Sequence, residues 1–314
     1  MARVAVIGSG FIGRAWAISY ARAGHHVTLW DEFPEAPRKA MEFIGKAVPE
    51  LAANGLLGGR TPEALLALIG IEPDLGAALE GAVHVQESTP ERVELKREVF
   101  ARLDRLAPAD AVLASSTSAI LPSFFTEHVP GRHRCLVVHP INPPYLVPAA
   151  EVVPAPWTSP EIVERTRRFL VAAGHAPIVM KRELTGFVMN RMQGALLEEA
   201  FRLVAEGYAS IEDVDVGIRE GLALRWSFMG PFETIDLNAP EGVRDYVMRY
   251  KGIYEELFPQ MQWRADWAGE VLDVIERERR ALLPKEKLGE RALWRDRRLM
   301  ALAAHKRKAE EEIG

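Results

Sequence analysis

The sequence predicts an α/β protein: a doubly wound, mostly parallel sheet over residues 1–183, followed by an all-helical domain over 184–314. Three observations carry this. Short β-rich runs alternate with helical stretches through the first half, the pattern of βαβ units. A glycine turn, Gly8-Ser9-Gly10-Phe11-Ile12-Gly13, joins the first of these runs to the first helix. The strand signal stops after Lys181.

Taken in order, Arg3–Gly8 and Val27–Asp31 read as buried strands, with a helix over Gly13–Gly24 between them. Pro34–Leu79 reads as a long helical insertion broken near Asn54–Thr61. Strands follow at Ala82–Gln86, Ala111–Ser115, Arg134–His139, Glu151–Val153 and Ala176–Lys181, with helical periodicity over Arg92–Leu106 and Pro160–Ala173. Beyond them, Gly186–Gly207 fits one long helix ended by its glycine. Ile211–Glu220 and Pro231–Leu237 read as short helices, and Glu241–Phe258, Trp267–Leu282 and Lys287–Ala309 as longer ones. The mixed charge of the last predicts a solvated outer face.

Composition narrows the class. With 314 residues, 48% hydrophobic and 26% charged, the chain can bury a core without a staple. The net charge of −5 argues against nucleic acid as a partner. A single cysteine, Cys135, excludes an intrachain disulfide and a multi-cysteine metal site, and its apolar run reads as packing; no metal is expected. The N-terminus enters a strand without a leader pattern, and no run of 18 apolar residues exists, so a cytoplasmic protein with no membrane partner is expected.

The glycine turn is a G-x-G-x-x-G between strand and helix, and Asp31 ends the next strand 18 residues after Gly13. Gly8 permits the tight turn, Gly10 lets a pyrophosphate approach the backbone, and Gly13 lets the helix pack closely on the strand. Phe11 and Ile12 complete the loop, where the helix offers free N–H groups and its positive end to phosphates. Asp31 can accept from a ribose diol and repels a 2′-phosphate, which predicts NAD rather than NADP.

Further motifs carry a resemblance. Gln86–Phe100 (QESTPERVELKREVF), Ser115–Ala119 (SSTSA), His139–Glu151 (HPINPPYLVPAAE), Gly186–Arg191 (GFVMNR), Gly221–Asn238 (GLALRWSFMGPFETIDLN) and Trp294–Asp296 (WRD) span nearly the whole chain. Together they resemble the 3-hydroxyacyl-CoA dehydrogenase family, most of all its lambda-crystallin and L-gulonate 3-dehydrogenase branch. The resemblance implies a Rossmann domain followed by a helical domain that forms a homodimer. It implies His139 as the catalytic histidine, Glu151 as its paired carboxylate, and Ser118 and Asn190 as further catalytic groups. It places Glu91 and Lys96 near the nicotinamide-side ribose. One departure is Ser116, where acyl-CoA members usually have Asn; this weakens the case for a thioester.

The chemistry fits these types. Oxidising a secondary alcohol sends a hydride to NAD and a proton to a base, and histidine is the natural base near neutral pH. A carboxylate on the other ring nitrogen fixes the tautomer and stabilises the imidazolium. Ser118 and Asn190 can donate to the substrate oxygen. The other histidines (His25, His26, His84, His128, His133, His175 and His305) fall in no paired pattern and read as structural or exposed.

For a free acid, Arg225 can form a bidentate pair with the carboxylate. The expected reaction is oxidation of the 3-hydroxyl of a small-molecule 3-hydroxy acid, L-gulonate first. Two other enzymatic readings stand beside it: a 3-hydroxyacyl-CoA dehydrogenase, and an L-carnitine dehydrogenase with Trp226 and Phe228 in an aromatic cage, although core packing is the simpler role for these two rings. The non-enzymatic alternative is a crystallin-like structural protein, which need not retain His139, Glu151, Ser118 and Asn190.

Overall fold

The computed structural model describes residues 1–313, which divide into two units: Met1–Met189 with Trp294 onward, and Asn190–Leu293. The first is built on eight strands: β1 (Arg3–Ile7), β2 (His26–Trp30), β3 (Ile69–Ile71), β4 (Ala82–Glu87), β5 (Val112–Ser115), β6 (Cys135–Pro140), β7 (Ala149–Pro154) and β8 (Ala176–Val179). They lie in the order β3-β2-β1-β4-β5-β6-β7-β8. Every neighbouring pair is parallel except β6–β7, as a mostly parallel sheet requires.

The strands are apolar throughout because both faces are covered. Period-two alternation sends Val4 and Val6 of β1 into one core and Ala5 and Ile7 into the other. Leu136 and Val138 of β6 join the first core, Cys135 and Val137 the second. Burial pushes the Cys135 thiol up to about 12, so it is an inert packing group.

The helices of this unit are α1 (Phe11–Arg22), α2 (Glu35–Ala53), α3 (Pro62–Leu66), α4 (Leu75–Leu79), α5 (Val93–Leu106), α6 (Pro122–Thr126) and α7 (Pro160–Ala172). α1 is buried on nearly every side, with Trp16 and Tyr20, one turn apart, stacked at 5.1 Å. β3 lies inside the stretch that the sequence reads as a helical insertion broken near Asn54–Thr61. It has only three residues, Ile-Gly-Ile, and its strand character comes from edge pairing with β2 rather than from local pattern.

The helical unit begins in α8 (Met189–Ala205) and continues through α9 (Ile211–Val216), a π-helical segment Gly217–Leu222, α10 (Ala223–Trp226), α11 (Pro231–Leu237), α12 (Val243–Leu257) and α13 (Glu270–Leu282). Gly207, at φ 73°, follows α8 as the sequence predicts. The interior here is thin: among its buried residues are Ile211, Ala239, Ala265 and Val271. Arg202, also buried, pairs with Glu198 and Glu199 and donates to the Trp263 carbonyl.

The last helix, α14 (Leu288–Ile313), departs from the boundary drawn in the sequence near residue 183. From Trp294 onward it belongs to the sheet unit. Met300 is 4% exposed and joins the first core, and Arg297 donates to both carboxylate oxygens of Glu50 on α2, at 2.8 and 3.0 Å. Its charged outer face hid an apolar inner one.

Candidate active site

The glycine turn folds as its sequence demands. Gly8 sits at φ 95°, and a Cβ on Gly13 would stand 1.8 Å from the Gly8 carbonyl oxygen, so α1 is pressed against the turn. Nothing lies within 4 Å of a Cβ built on Gly10, which leaves that backbone open to a ligand. α1 has no side-chain cap and no acidic residue in its first turn, so its N–H groups face outward unneutralised. Ile12 packs on the core while Phe11 is 73% exposed. Asp31 accepts from the Ser9 amide at 2.7 Å and from the Phe33 amide at 3.1 Å, which fixes its carboxylate beside the turn with lone pairs to spare. These residues fit a dinucleotide: the α1 end for the pyrophosphate and Asp31 for the adenosine ribose.

His139 and Glu151 are register partners across the antiparallel β6–β7 pair. Both side chains project toward the core that contains Val137 and Val153, on the face opposite Val138 and Val152. His139 Nδ1 donates to Glu151 Oε2 at 2.7 Å. The other carboxylate oxygen accepts the amides of Val188 and Met189, at 2.6 and 2.9 Å. Glu151 therefore serves both the imidazole and the first turn of α8, which satisfies a carboxylate that is 0% exposed. Phe187, fully buried in the left-handed region at φ 51°, brings its ring to 5.6 Å from that of His139. His139 is itself 6% exposed.

Ser118 follows the end of β5, the strand beside β6, so it stands at the same carboxyl edge as His139. Its loop is held by Glu91, whose Oε1 accepts from the Thr117 hydroxyl at 2.5 Å and from the Ser118 and Ala119 amides at 2.9 and 3.1 Å. Asn190 is the second residue of α8, next to Met189, whose amide Glu151 holds.

Lys96 and Ser116 both turn inward. Lys96 Nζ stands 4.0 Å from Oε2 of Glu91, the acid read together with it. Lys96 is 1% exposed, and its ammonium donates to Glu87 Oε1 and Oε2 at 2.9 and 3.0 Å and to the Thr89 carbonyl at 3.3 Å. Glu87 in turn accepts from Ser115 and Thr89, so this buried pair ties β4, β5 and α5 together beneath the site. The sequence reading missed Glu87; its one signal was an acid at the end of an apolar strand, nine residues before an inward-facing lysine. Ser116 is the second case. Its hydroxyl lies inside, bonded to Trp16 Nε1, Gln86 Nε2 and Ser88 Oγ at 3.1, 2.8 and 3.0 Å. The Ser-for-Asn departure answers to core packing and says nothing about a thioester.

Arg225 lies on α10 in the helical unit, lining a cavity of ≈ 520 Å³ with Gly217, Gly221, Leu222, Leu224 and Phe228. Its Nε is buried without a hydrogen-bond partner, as is Trp226 Nε1. Phe228 is 71% exposed, so the core-packing role expected of it does not hold.

A doubly wound sheet with an open glycine turn and a histidine–carboxylate pair at its carboxyl edge defines a nucleotide-dependent oxidoreductase. Residues 3–183 match the family model described as 3-hydroxyacyl-CoA dehydrogenase, NAD binding domain, and residues 186–273 match its C-terminal domain. The chain belongs to the 3-hydroxyacyl-CoA dehydrogenase family, and it is an NAD-dependent oxidoreductase acting on CH–OH groups.

A lambda-crystallin homolog of Bos taurus is 41% identical over 303 residues, covering 96% of this chain and 94% of that protein. An L-carnitine dehydrogenase of Streptomyces griseus is 40% identical over 250 residues, 80% of this chain and 73% of that protein. Among solved structures, 5-formyl-3-hydroxy-2-methylpyridine 4-carboxylic acid 5-dehydrogenase, described as an NAD+-dependent dismutase, superposes with a TM-score of 0.83. It is 28% identical, with 99% of each chain covered.

Proposed function

We propose that this protein oxidises the 3-hydroxyl of a free 3-hydroxy acid, L-gulonate being the first candidate, with the His139–Glu151 pair as general base. The 2.7 Å contact between Nδ1 and Oε2 carries the reading. It commits one ring nitrogen to donation and leaves Nε2 as the acceptor that a base needs. NAD, when bound, would supply the acceptor for the hydride of the carbinol C–H bond. His139 Nε2 takes the hydroxyl proton as that bond breaks, and the buried charge of Glu151 stabilises the imidazolium that results. The Ser118 hydroxyl and Asn190 amide steady the oxygen as it gains carbonyl character.

The free-acid assignment is supported by the relatives, which include lambda-crystallin homologs along nearly the full chain and L-carnitine dehydrogenases. Arg225, with a buried N–H lacking a partner, suits a carboxylate. An NADH-formation assay over L-gulonate, L-3-hydroxybutyrate, L-carnitine and 3-hydroxybutyryl-CoA tests the reading. L-gulonate is expected to show the highest kcat/KM; a wide margin for the thioester overturns the free-acid assignment, and a best rate with carnitine overturns gulonate alone.

The helical unit is proposed to pair with a second copy, which its thin interior and exposed Phe228, Phe232, Leu237, Met248 and Ile253 favour. Light scattering at micromolar concentration is expected to give twice the 35.0 kDa of one chain; the mass of a single chain overturns the pairing.

A further inference from the structure

Thr117 is 1% exposed just beyond the carboxyl end of β5, directly before the exposed Ser118. Its amide and its hydroxyl are both committed. The amide donates to the Ser115 hydroxyl at 3.2 Å. The hydroxyl donates to Glu91 Oε1 at 2.5 Å and accepts from the Ile120 amide at 3.0 Å. Packing alone would be met by valine, which has the same branched shape without the oxygen.

The turn around it has no slack. The amides of Ser118, Ala119 and Ile120 are consecutive, and each has an acceptor: Glu91 Oε1 takes the first two at 2.9 and 3.1 Å, and the Thr117 hydroxyl takes the third. An exposed loop can leave such donors to water. Here they converge, and the Thr117 hydroxyl is the group that both joins the carboxylate and closes the turn. The footing beneath is charged. Ser115 donates to Glu87 Oε2 at 2.5 Å, Glu87 pairs with Lys96, and the same ammonium stands 4.0 Å from Glu91 Oε2. Thr117 is therefore tied to one carboxylate through its backbone and Ser115, and to another through its side chain.

We propose that Thr117 is a positioning residue for the reaction: with Glu91 it holds the backbone of Ser118 so that the serine hydroxyl meets the substrate oxygen as its charge changes. The proposal rests on the reading that gives Ser118 that role. A donor lowers the barrier only where the oxygen will stand in the transition state, and a displacement of about 1 Å can cost about 100-fold. The loss falls on kcat rather than on KM, because the contact strengthens as the reaction proceeds.

Steady-state kinetics at saturating NAD over L-gulonate, L-3-hydroxybutyrate, L-carnitine and 3-hydroxybutyryl-CoA, read on whichever turns over fastest, separates this test from the choice of substrate. Thr117→Val is expected to lower kcat by about 10- to 100-fold while KM and the NADH affinity, measured by fluorescence titration, stay within about 2-fold. Thr117→Ser keeps the hydroxyl and is expected to restore kcat. Thr117→Ala guards against a misplaced valine methyl and is expected to match Thr117→Val. Residues that act through one contact are not additive, so Thr117→Val placed on Ser118→Ala is expected to cost less than about 2-fold more. An equal loss with and without the serine marks general damage to the fold and overturns the proposal. So does a raised KM or weakened NADH binding at constant kcat, which makes Thr117 a binding residue. A parental kcat in Thr117→Val beside a slow Ser118→Ala overturns this proposal alone, whereas a parental kcat in Ser118→Ala overturns the role of the serine and this proposal with it.

Discussion

Glu151 divides its two carboxylate oxygens between a side chain and a helix: Oε2 accepts a hydrogen bond from His139 Nδ1–H at 2.7 Å, and Oε1 accepts from the amides of Val188 and Met189 where α8 begins. One buried charge thus fixes the imidazole and the start of the helix that carries Asn190.

His139→Ala is expected to lower turnover by about 10²–10⁴-fold, the usual cost of losing a general base, with NADH affinity unchanged. Glu151→Gln keeps the shape and removes the charge. Its amide oxygen can serve either the imidazole N–H or the helix amides but not all three with full strength, so turnover should fall and the melting temperature with it. Steady-state kinetics beside thermal denaturation checks both; near-parental turnover in His139→Ala removes the histidine from the chemistry.

Asp31 is held by the Ser9 and Phe33 amides at the end of β2, and Glu32 beside it pairs with Arg102 at 3.3 Å. The Asp31 charge repels a 2′-phosphate, so NAD is expected to be strongly preferred over NADP. Asp31→Ala should narrow the ratio of the two kcat/KM values, chiefly by raising the KM for NAD. Equal efficiency with both cofactors in the unmodified protein contradicts this.

What was legible in the sequence, and what was not, divides along a physical line. The pairing of His139 with Glu151 was readable because the family resemblance implies it, and the antiparallel register sets the two opposite each other. β3 was not, since three residues with a central glycine carry no pattern and exist as a strand only through β2. The burial of Lys96 against Glu87 is not legible, because the two are nine residues apart on different elements and only folding brings them together. The docking of α14 is not legible either, because its charged residues outnumber the few, such as Met300, that pack on the sheet unit.

His84 and His175 make stability depend on pH. Burial is the largest cause in each case, lowering both to about 4; hydrogen bonds to Gln86 and to the Pro148 carbonyl raise them in part, and Arg165 with His25, or Arg22, lower them further. Both are neutral in the fold and titrate near 6.5 when unfolded. Their contribution is therefore complete above about pH 6.5 and is lost as pH falls toward 4, by about 1.4 kcal/mol per pH unit for each group. Denaturant midpoints between pH 7.5 and 4.5 should fall accordingly, and His84→Asn should flatten the slope. A midpoint constant from pH 7 to 5 contradicts the assignment.

Arg225 separates the free-acid reading from the thioester one. Its Nε is buried and lacks a partner, and it lines a cavity of ≈ 520 Å³ walled in part by the π-helical turn with Gly217 and Gly221. A buried donor without an acceptor is costly, and a substrate carboxylate would relieve that cost through a charge-assisted pair. Arg225→Met keeps the length and removes both. It is expected to raise KM for L-gulonate by about 10-fold or more with kcat little changed, because a pair with the unreacting carboxylate acts equally in ground and transition states. NADH affinity should stay intact, and residual activity on 3-hydroxybutyryl-CoA should not respond, since a thioester offers no carboxylate at that position. Parallel kinetics on the two substrates read the difference directly: an equal loss on both assigns Arg225 to the packing of α10, and a loss in kcat at constant KM assigns it to the transition state rather than to the acid.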